Sequence, residues 1–230
     1  MEKIYEFNGE FQFFHFKKRI NRFTVETEEN ELCHLHDPGR LSELLIPGNI
    51  MMAIIKNRGL KCEIISVKSN NEEILINSRF HSNIAENLIN GGYLNKNFKI
   101  IKKEIIYDNS RLDFLLENIG KKYFLEVKGC TLLKGKFAKF PDAPTIRGTK
   151  HVRELIKIKN SGFGAGILFL IFRNAEYFSP NYEMDKNFYY ALLDSFKNGV
   201  DIFTIRLFLN GSHLYYDGIV KLKFDGPAGI

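Results

Sequence analysis

No apolar run in this 230-residue chain approaches the ~20 residues needed to cross a bilayer, so a helical membrane anchor is not expected. The opening Met1-Glu2-Lys3-Ile4 has no apolar signal core, which points to a cytoplasmic rather than a secreted protein. Cysteine is scarce: Cys33, Cys62 and Cys130 are widely spaced and odd in number, with no CxxC pair to suggest zinc. Three buried thiols in a reducing compartment are therefore expected, not a disulfide framework. No G-x-S-x-G or paired Cys–His arrangement supports a nucleophilic enzyme, and no phosphate-cradling P-loop is present.

What is present suits a globular protein with an anionic partner. Apolar residues make up 44% and charged residues 26%, which excludes a wholly disordered chain. The net charge of +6 and pI near 9.1 suggest nucleic acid, because lysine and arginine gain affinity by displacing counterions from phosphates. The oligomeric state is not legible, and a homodimer stays open.

Along the chain, residues 11–16, 22–27, 31–36, 50–55, 61–68 and 73–76 read as short strands, with one helical turn at 41–46 stopped by Pro47-Gly48. Five or six short strands in under eighty residues predict a small OB-like β-barrel over 1–78. The pattern then changes. Ala85, Leu88 and Ile89 have helical spacing ahead of Gly91-Gly92. Strands follow at 99–107, 111–117 and 122–128, then a loop with Pro141 and Pro144 and a helix over 150–159. The apolar run 166–172 reads as a strand covered on both faces, followed by a helix over 185–197 and strands to residue 224. The fold class predicted is α+β or α/β, with a mixed sheet and flanking helices over 79–225 and a structureless tail over 226–230.

The hairpin from Arg111 to Lys128 carries the chemistry. If the chain turns at Asn118-Ile119-Gly120-Lys121, cross-strand positions sum to 239, so Asp113 faces Glu126 with Cβ atoms ~5 Å apart. The period of two puts Phe124, Glu126 and Lys128 on one side, with Tyr123, Leu125 and Val127 turned into the core. Opposed carboxylates persist at neutral pH only with a cation between them or a proton on one. Oxygen ligands that leave room for water and phosphate suit Mg²⁺ or Mn²⁺, and Lys128 could orient a metal-bound water. The alternative is a solvent-facing ion pair between Lys128 and Glu126.

The α-β-β-β-α-β order with an Asp on the second strand and Glu-x-Lys on the third resembles the PD-(D/E)xK nuclease-like superfamily. More narrowly, His36-Asp37-Pro38-Gly39-Arg40-Leu41, Arg111-Leu112-Asp113-Phe114, Glu126-Val127-Lys128 and the string Phe140-Pro141-Asp142-Ala143-Pro144-Thr145-x-Arg147-Gly148-x-Lys150-His151 resemble the sugar fermentation stimulation protein A family. That resemblance implies an OB-like domain followed by a nuclease-like one, non-specific DNA binding, and a regulatory role in maltose and other sugar metabolism. It assigns catalytic or metal-binding roles to Asp113, Glu126 and Lys128.

Other candidates are open to two readings each. Glu86 resembles the additional acidic ligand of many superfamily members, or is solvated on its helix. Lys150 and His151 open a helix with Thr149 as its cap and suit a phosphate, or form an ordinary helix entrance. Arg147 and Lys139 suit a DNA backbone or a solvated basic loop, and Arg40 a phosphate or the barrel end. His34 and His36 alternate on a strand and suit a metal pair or, with no third ligand nearby, a structural or solvent role. Tyr5, Phe7, Phe11, Phe13, Phe14 and Phe16 suit a stacking surface or the barrel core. Three functions remain: a DNA-binding regulator that keeps a nuclease-like metal site, an active Mg²⁺-dependent phosphodiesterase, and an RNA-processing factor.

Overall fold

The computed structural model describes residues 1–227 other than Pro38 and Asn109. The Asp37-Pro38 turn and the end of the expected tail thus fall partly outside the described residues.

The chain begins with β1 (Lys3–Glu6) and then builds a six-stranded sheet from β2 (Phe11–Asn21), β3 (Thr24–Thr27), β4 (Leu32–His34), β5 (Ile50–Ile55), β6 (Cys62–Ser69) and β7 (Glu72–Leu75). Its order is β4-β3-β2-β5-β6-β7, and an added β4–β6 pairing curls it towards a barrel. Alternation along β2 buries Phe14 and Phe16 and leaves Phe13 outside. Phe7 is buried as well, so the N-terminal aromatics are mainly core. One expectation fails here. Cys33 and Cys62 are register partners on β4 and β6 and form a disulfide, while Cys130 is a buried free thiol. Cross-strand adjacency of positions 29 residues apart cannot be read from cysteine spacing.

The second part follows as α1 (His81–Asn90), β8 (Phe98–Tyr107), β9 (Ser110–Asn118), β10 (Lys121–Cys130), β11 (Leu132–Lys134), β12 (Phe137–Phe140), α2 (Ile146–Asn160), β13 (Gly164–Ile171), β14 (Tyr177–Pro180), α3 (Lys186–Lys197), β15 (Asp201–Asn210), β16 (His213–Ile219) and β17 (Lys221–Leu222). The α-β-β-β-α-β order is present, interrupted by β11 and β12, and the architecture is mixed α+β. A seven-stranded sheet runs β1-β16-β15-β13-β10-β9-β8, with β10, β13 and β15 parallel at its centre. The run read as a doubly covered strand is β13, buried from Ala165 to Ile171. A small third sheet, β11-β12-β14-β17, takes its first three strands from stretches where the sequence suggests none, while β17 lies within the strand expected at the chain's end. Its strands are two to four residues long, too short for periodicity to register.

Both faces of the large sheet are covered. Tyr123, Leu125 and Val127 join one apolar cluster with α1 and the barrel interior, so the barrel core continues into the sheet without a break. Phe124 joins a second cluster with α2 and α3. The face carrying Glu126 is therefore roofed by a helix and is not a solvent-facing surface. Thr145, not Thr149, caps α2: its hydroxyl accepts from Gly148 N at 3.0 Å, and the helix begins four residues earlier than expected.

The β9–β10 turn places both Ile119 (φ 51°) and Gly120 (φ 72°) in the left-handed region, as a type I′ hairpin requires. A β-branched residue pays for that conformation, and Ile119 is 90% exposed, so its side chain recovers nothing by packing. Ile119→Asn is expected to stabilise the protein by about 1 kcal/mol in urea denaturation, without altering the site described next.

Candidate metal and nucleic-acid site

The hairpin register is the one expected. Asn118 pairs Lys121, Glu117 pairs Lys122, and the ladder runs to Phe114 opposite Leu125, one position short of Asp113 and Glu126. Asp113 Oδ2 then accepts from Val127 N at 2.7 Å, which fixes its carboxylate beside the Glu126–Lys128 segment. Burial, and secondly the charge of Glu126, raise the Asp113 pKa from 3.8 to about 6.

Glu126 is 2% exposed. Its Oε1 accepts from both Lys128 Nζ and His151 Nδ1. Burial pushes its pKa up, but the Lys128 charge and the His151 hydrogen bond outweigh burial and hold it below the usual carboxylate value. His151 Nε2 receives Arg147 Nε at 3.4 Å, which leaves Nδ1 as the donor to Glu126. Arg147 and His151 lie one helical turn apart on α2, so the spacing of the R-G-x-K-H string supports a chain from Arg147 through His151 to Glu126 and Lys128. The second carboxylate oxygen, Glu126 Oε2, is buried with no hydrogen-bond partner among the described residues.

These groups lie at the floor of a cleft of about 610 Å³ between the barrel and the sheet. Arg22, His36, Asp37 and Arg79 line it from the barrel side; Arg111, Lys139, Asp142 and Arg147 line it from the other. Two motif segments form one wall. Asp142 Oδ2 accepts from Arg40 N (2.8 Å) and Leu41 N (3.3 Å), and the Arg19 guanidinium grips the carbonyls of Arg22, Asp37, Gly39 and Arg40. A side chain on Gly39 would overlap the Asp37 and Asp142 carboxylates, so glycine is needed for this close approach. Gly129 has a similar duty, since a Cβ there would overlap the His81 ring.

The expected site residues separate accordingly. Asp113, Glu126, Lys128, Lys139 and Arg147 reach the cleft. His151 lies behind Glu126 rather than at a helix entrance. Lys150 is exposed and outside the cleft lining, and Arg40 contributes its backbone N–H to Asp142. Glu86 pairs with Lys103 at 2.7 Å and does not line the cleft. Lys139 is buried, pairs with Asp225 at 2.6 Å and lies 5.1 Å from the Phe137 ring centroid. Arg22, Arg79, Arg111 and Asp142 receive no role from sequence, and His36 only that of an incomplete metal pair with His34. Three of them stand inside the quoted motifs, which was the available signal.

Two carboxylates do not make a full protein cage, and among the described residues no group of three His, Cys, Asp or Glu side chains could hold a metal ion. Among them, too, no helix is long and apolar enough to cross a membrane.

A curled β-barrel joined to a mixed sheet, with paired carboxylates in the cleft between them, defines an OB-domain protein with a second α+β domain. The family model for the SfsA N-terminal OB domain matches residues 18–76, and that for the sugar fermentation stimulation protein RE domain matches residues 79–212. The chain belongs to the sugar fermentation stimulation protein family. It is 42% identical over 217 residues to the homolog of Thermosipho melanesiensis, covering 92% of this chain and 94% of the relative. The Clostridium tetani homolog is 46% identical over 198 residues, covering 82% and 86%. The structure of Pyrococcus furiosus SfsA in complex with Ca²⁺ is similar with a TM-score of 0.90, at 28% identity over 96% of this chain and 99% of that one.

Proposed function

We propose that the cleft binds nucleic acid, DNA foremost, with Mg²⁺ or Mn²⁺ held between Asp113 and Glu126. The observation that carries this reading is Glu126 Oε2, a buried carboxylate oxygen without a partner, beside an Asp113 whose ionised form is disfavoured by burial and by Glu126 itself. A cation would satisfy both. The small number of protein ligands suits Mg²⁺, which commonly takes one or two carboxylates and fills its remaining positions with water and phosphate oxygens. Ca²⁺ in the Pyrococcus furiosus structure is another hard, oxygen-seeking cation and supports the same donor chemistry.

The protein's own part is to position. Val127 N–H orients Asp113, while Lys128 and His151 hold Glu126 ionised and aimed. Arg111 and Arg147 put positive charge where phosphates would run. A regulatory role in sugar metabolism, carried by the family name, would be exerted through DNA. The second reading is a phosphodiesterase, favoured by the placement of Lys128 against Glu126. The metal would supply an activated water and charge neutralisation at phosphate.

Incubating the purified chain with single- and double-stranded DNA and RNA separates these readings. Mg²⁺, Mn²⁺ and chelator arms are run beside Asp113→Ala and Lys128→Ala. DNA binding is expected to weaken roughly tenfold or more between 50 and 200 mM salt. Metal-dependent cleavage lost in both variants establishes the phosphodiesterase, and binding without cleavage leaves the regulator. Absence of nucleic-acid binding in any metal overturns the proposal.

A further inference from the structure

On the barrel rim, a line of rings leads towards the carboxylate floor. Phe23 sits in the β2–β3 turn and is 47% exposed. Its ring lies nearly parallel to that of His34, at 6.4 Å and 21°. His34 in turn meets His36 edge-on at 5.5 Å, with Nε2 of one 3.3 Å from Nδ1 of the other. His36 lines the cleft that holds Asp113, Glu126 and Lys128. The Arg22 guanidinium stands over the Phe23 ring, 5.7 Å from its centroid, and also lines the cleft.

An exposed phenylalanine gains nothing for folding from its outer face. The backbone that carries this one is fixed, since Leu35 N donates to Phe23 O at 2.9 Å and Phe23 N to Asn21 Oδ1 at 2.8 Å. A half-exposed ring with an arginine over it is a pairing that binds a base and its phosphate together, the guanidinium swinging to the phosphate as the base stacks. Sequence-tolerant stacking needs no base-edge hydrogen bonds, because every base presents a π-face.

The cleft's size and depth select the form of the strand. Glu126 is almost completely buried, and about 610 Å³ lies within the range of small-ligand pockets. A duplex keeps its phosphates on the outside of a rigid rod many ångströms across, whereas a strand freed from its complement can enter such a recess.

We propose that Phe23, backed by His34 and His36 and flanked by Arg22, is a base-stacking platform that guides an unpaired nucleic-acid strand into the cleft. This rests on the nucleic-acid reading above and specifies its substrate as single-stranded or locally unpaired.

The test uses the full chain in chelator, so that no cleavage intervenes, with a fluorescein-labelled 12-nucleotide single strand and a hairpin duplex of equal length as probes. A second single strand carrying 2-aminopurine reports stacking by its quenching. Wild type is expected to bind the single strand more tightly than the duplex and to quench 2-aminopurine. Phe23→Ala is expected to weaken single-strand binding about 5- to 20-fold and abolish the quenching, while leaving duplex binding and calorimetric Mn²⁺ binding unchanged. Phe23→Tyr should restore both. Melting curves confirm that each variant is folded. Single-strand affinity unaltered in Phe23→Ala overturns the platform and leaves the cleft reading standing. So does an equal loss for single strand and duplex, or a wild-type preference for duplex. Failure of wild type to bind any probe, both in chelator and with Mg²⁺ or Mn²⁺ supplied, overturns both.

Discussion

Asp113→Asn is expected to abolish Mn²⁺ binding and, in the same protein, to raise the melting temperature of the metal-free chain at pH 7.5. Both effects come from one charge. The Asp113 pKa is raised from 3.8 to about 6, by burial first and by Glu126 second. A carboxyl group with a raised folded-state pKa contributes stability that is fully present below the unfolded value and is lost as pH rises through the folded one. At pH 7.5 the ionised group therefore works against folding, by an upper bound of about 3 kcal/mol and, with its partial exposure, closer to 1–2 kcal/mol. Asparagine keeps an oxygen to accept from Val127 N and removes the charge. Isothermal calorimetry with Mn²⁺, and melting curves at pH 5 and 7.5 in chelator, check the pair of effects. The wild-type chain should gain stability on going from pH 7.5 to 5, and Asp113→Asn should gain less. Asp37, raised to about 6 by burial and by Asp142, adds to the gain, and His81, lowered to about 4 by burial, opposes both. Unchanged Mn²⁺ affinity in Asp113→Asn would show that the carboxylate is not a ligand.

His151→Ala carries the second large effect, and it is expected on stability first. His151 is buried against Glu126 and supplies it with a hydrogen bond. Its removal leaves an ionised, buried carboxylate supported by Lys128 alone, together with a void under α2. The expected cost is about 3 kcal/mol in urea denaturation, with Mn²⁺ affinity falling as Glu126 loses its orientation. Lys128→Ala should cost less, because the Lys128 side chain keeps partial contact with solvent. If His151→Ala weakened DNA binding and left stability untouched, His151 would be a phosphate contact and not a support for Glu126.

The hairpin was legible because a single turn fixes every pairing beyond it: Asn118 opposite Lys121 dictates Asp113 near Glu126 by arithmetic. The central strand β13 was legible from an unbroken apolar run, and the barrel from the density of short strands. Other features depend on contacts that no local pattern encodes. Thr145 and Thr149 are equally good caps by residue type. Thr145 wins where its own N–H can reach Asp185 Oδ2 at 2.8 Å, forty residues on. That four-residue difference turns His151 from a helix-entrance residue into an interior one. The same holds for the Cys33–Cys62 bond and the small third sheet, both assembled by pairings distant in sequence. Asp142 stood in plain view within the quoted string, but its partners Arg40 and Leu41 lie about a hundred positions away.

The first strand has a topological consequence. Because β1 pairs with β16 at the edge of the large sheet, the chain enters that sheet, leaves to build the barrel and returns through α1. The barrel is thus an inserted unit tethered at both ends. A proteolytic nick in either connection would leave it attached through the other, and its unfolded segment would be a closed loop with less freedom than a free arm. Thermal melting should accordingly be a single cooperative event rather than two, with the cleft surviving until the whole molecule opens.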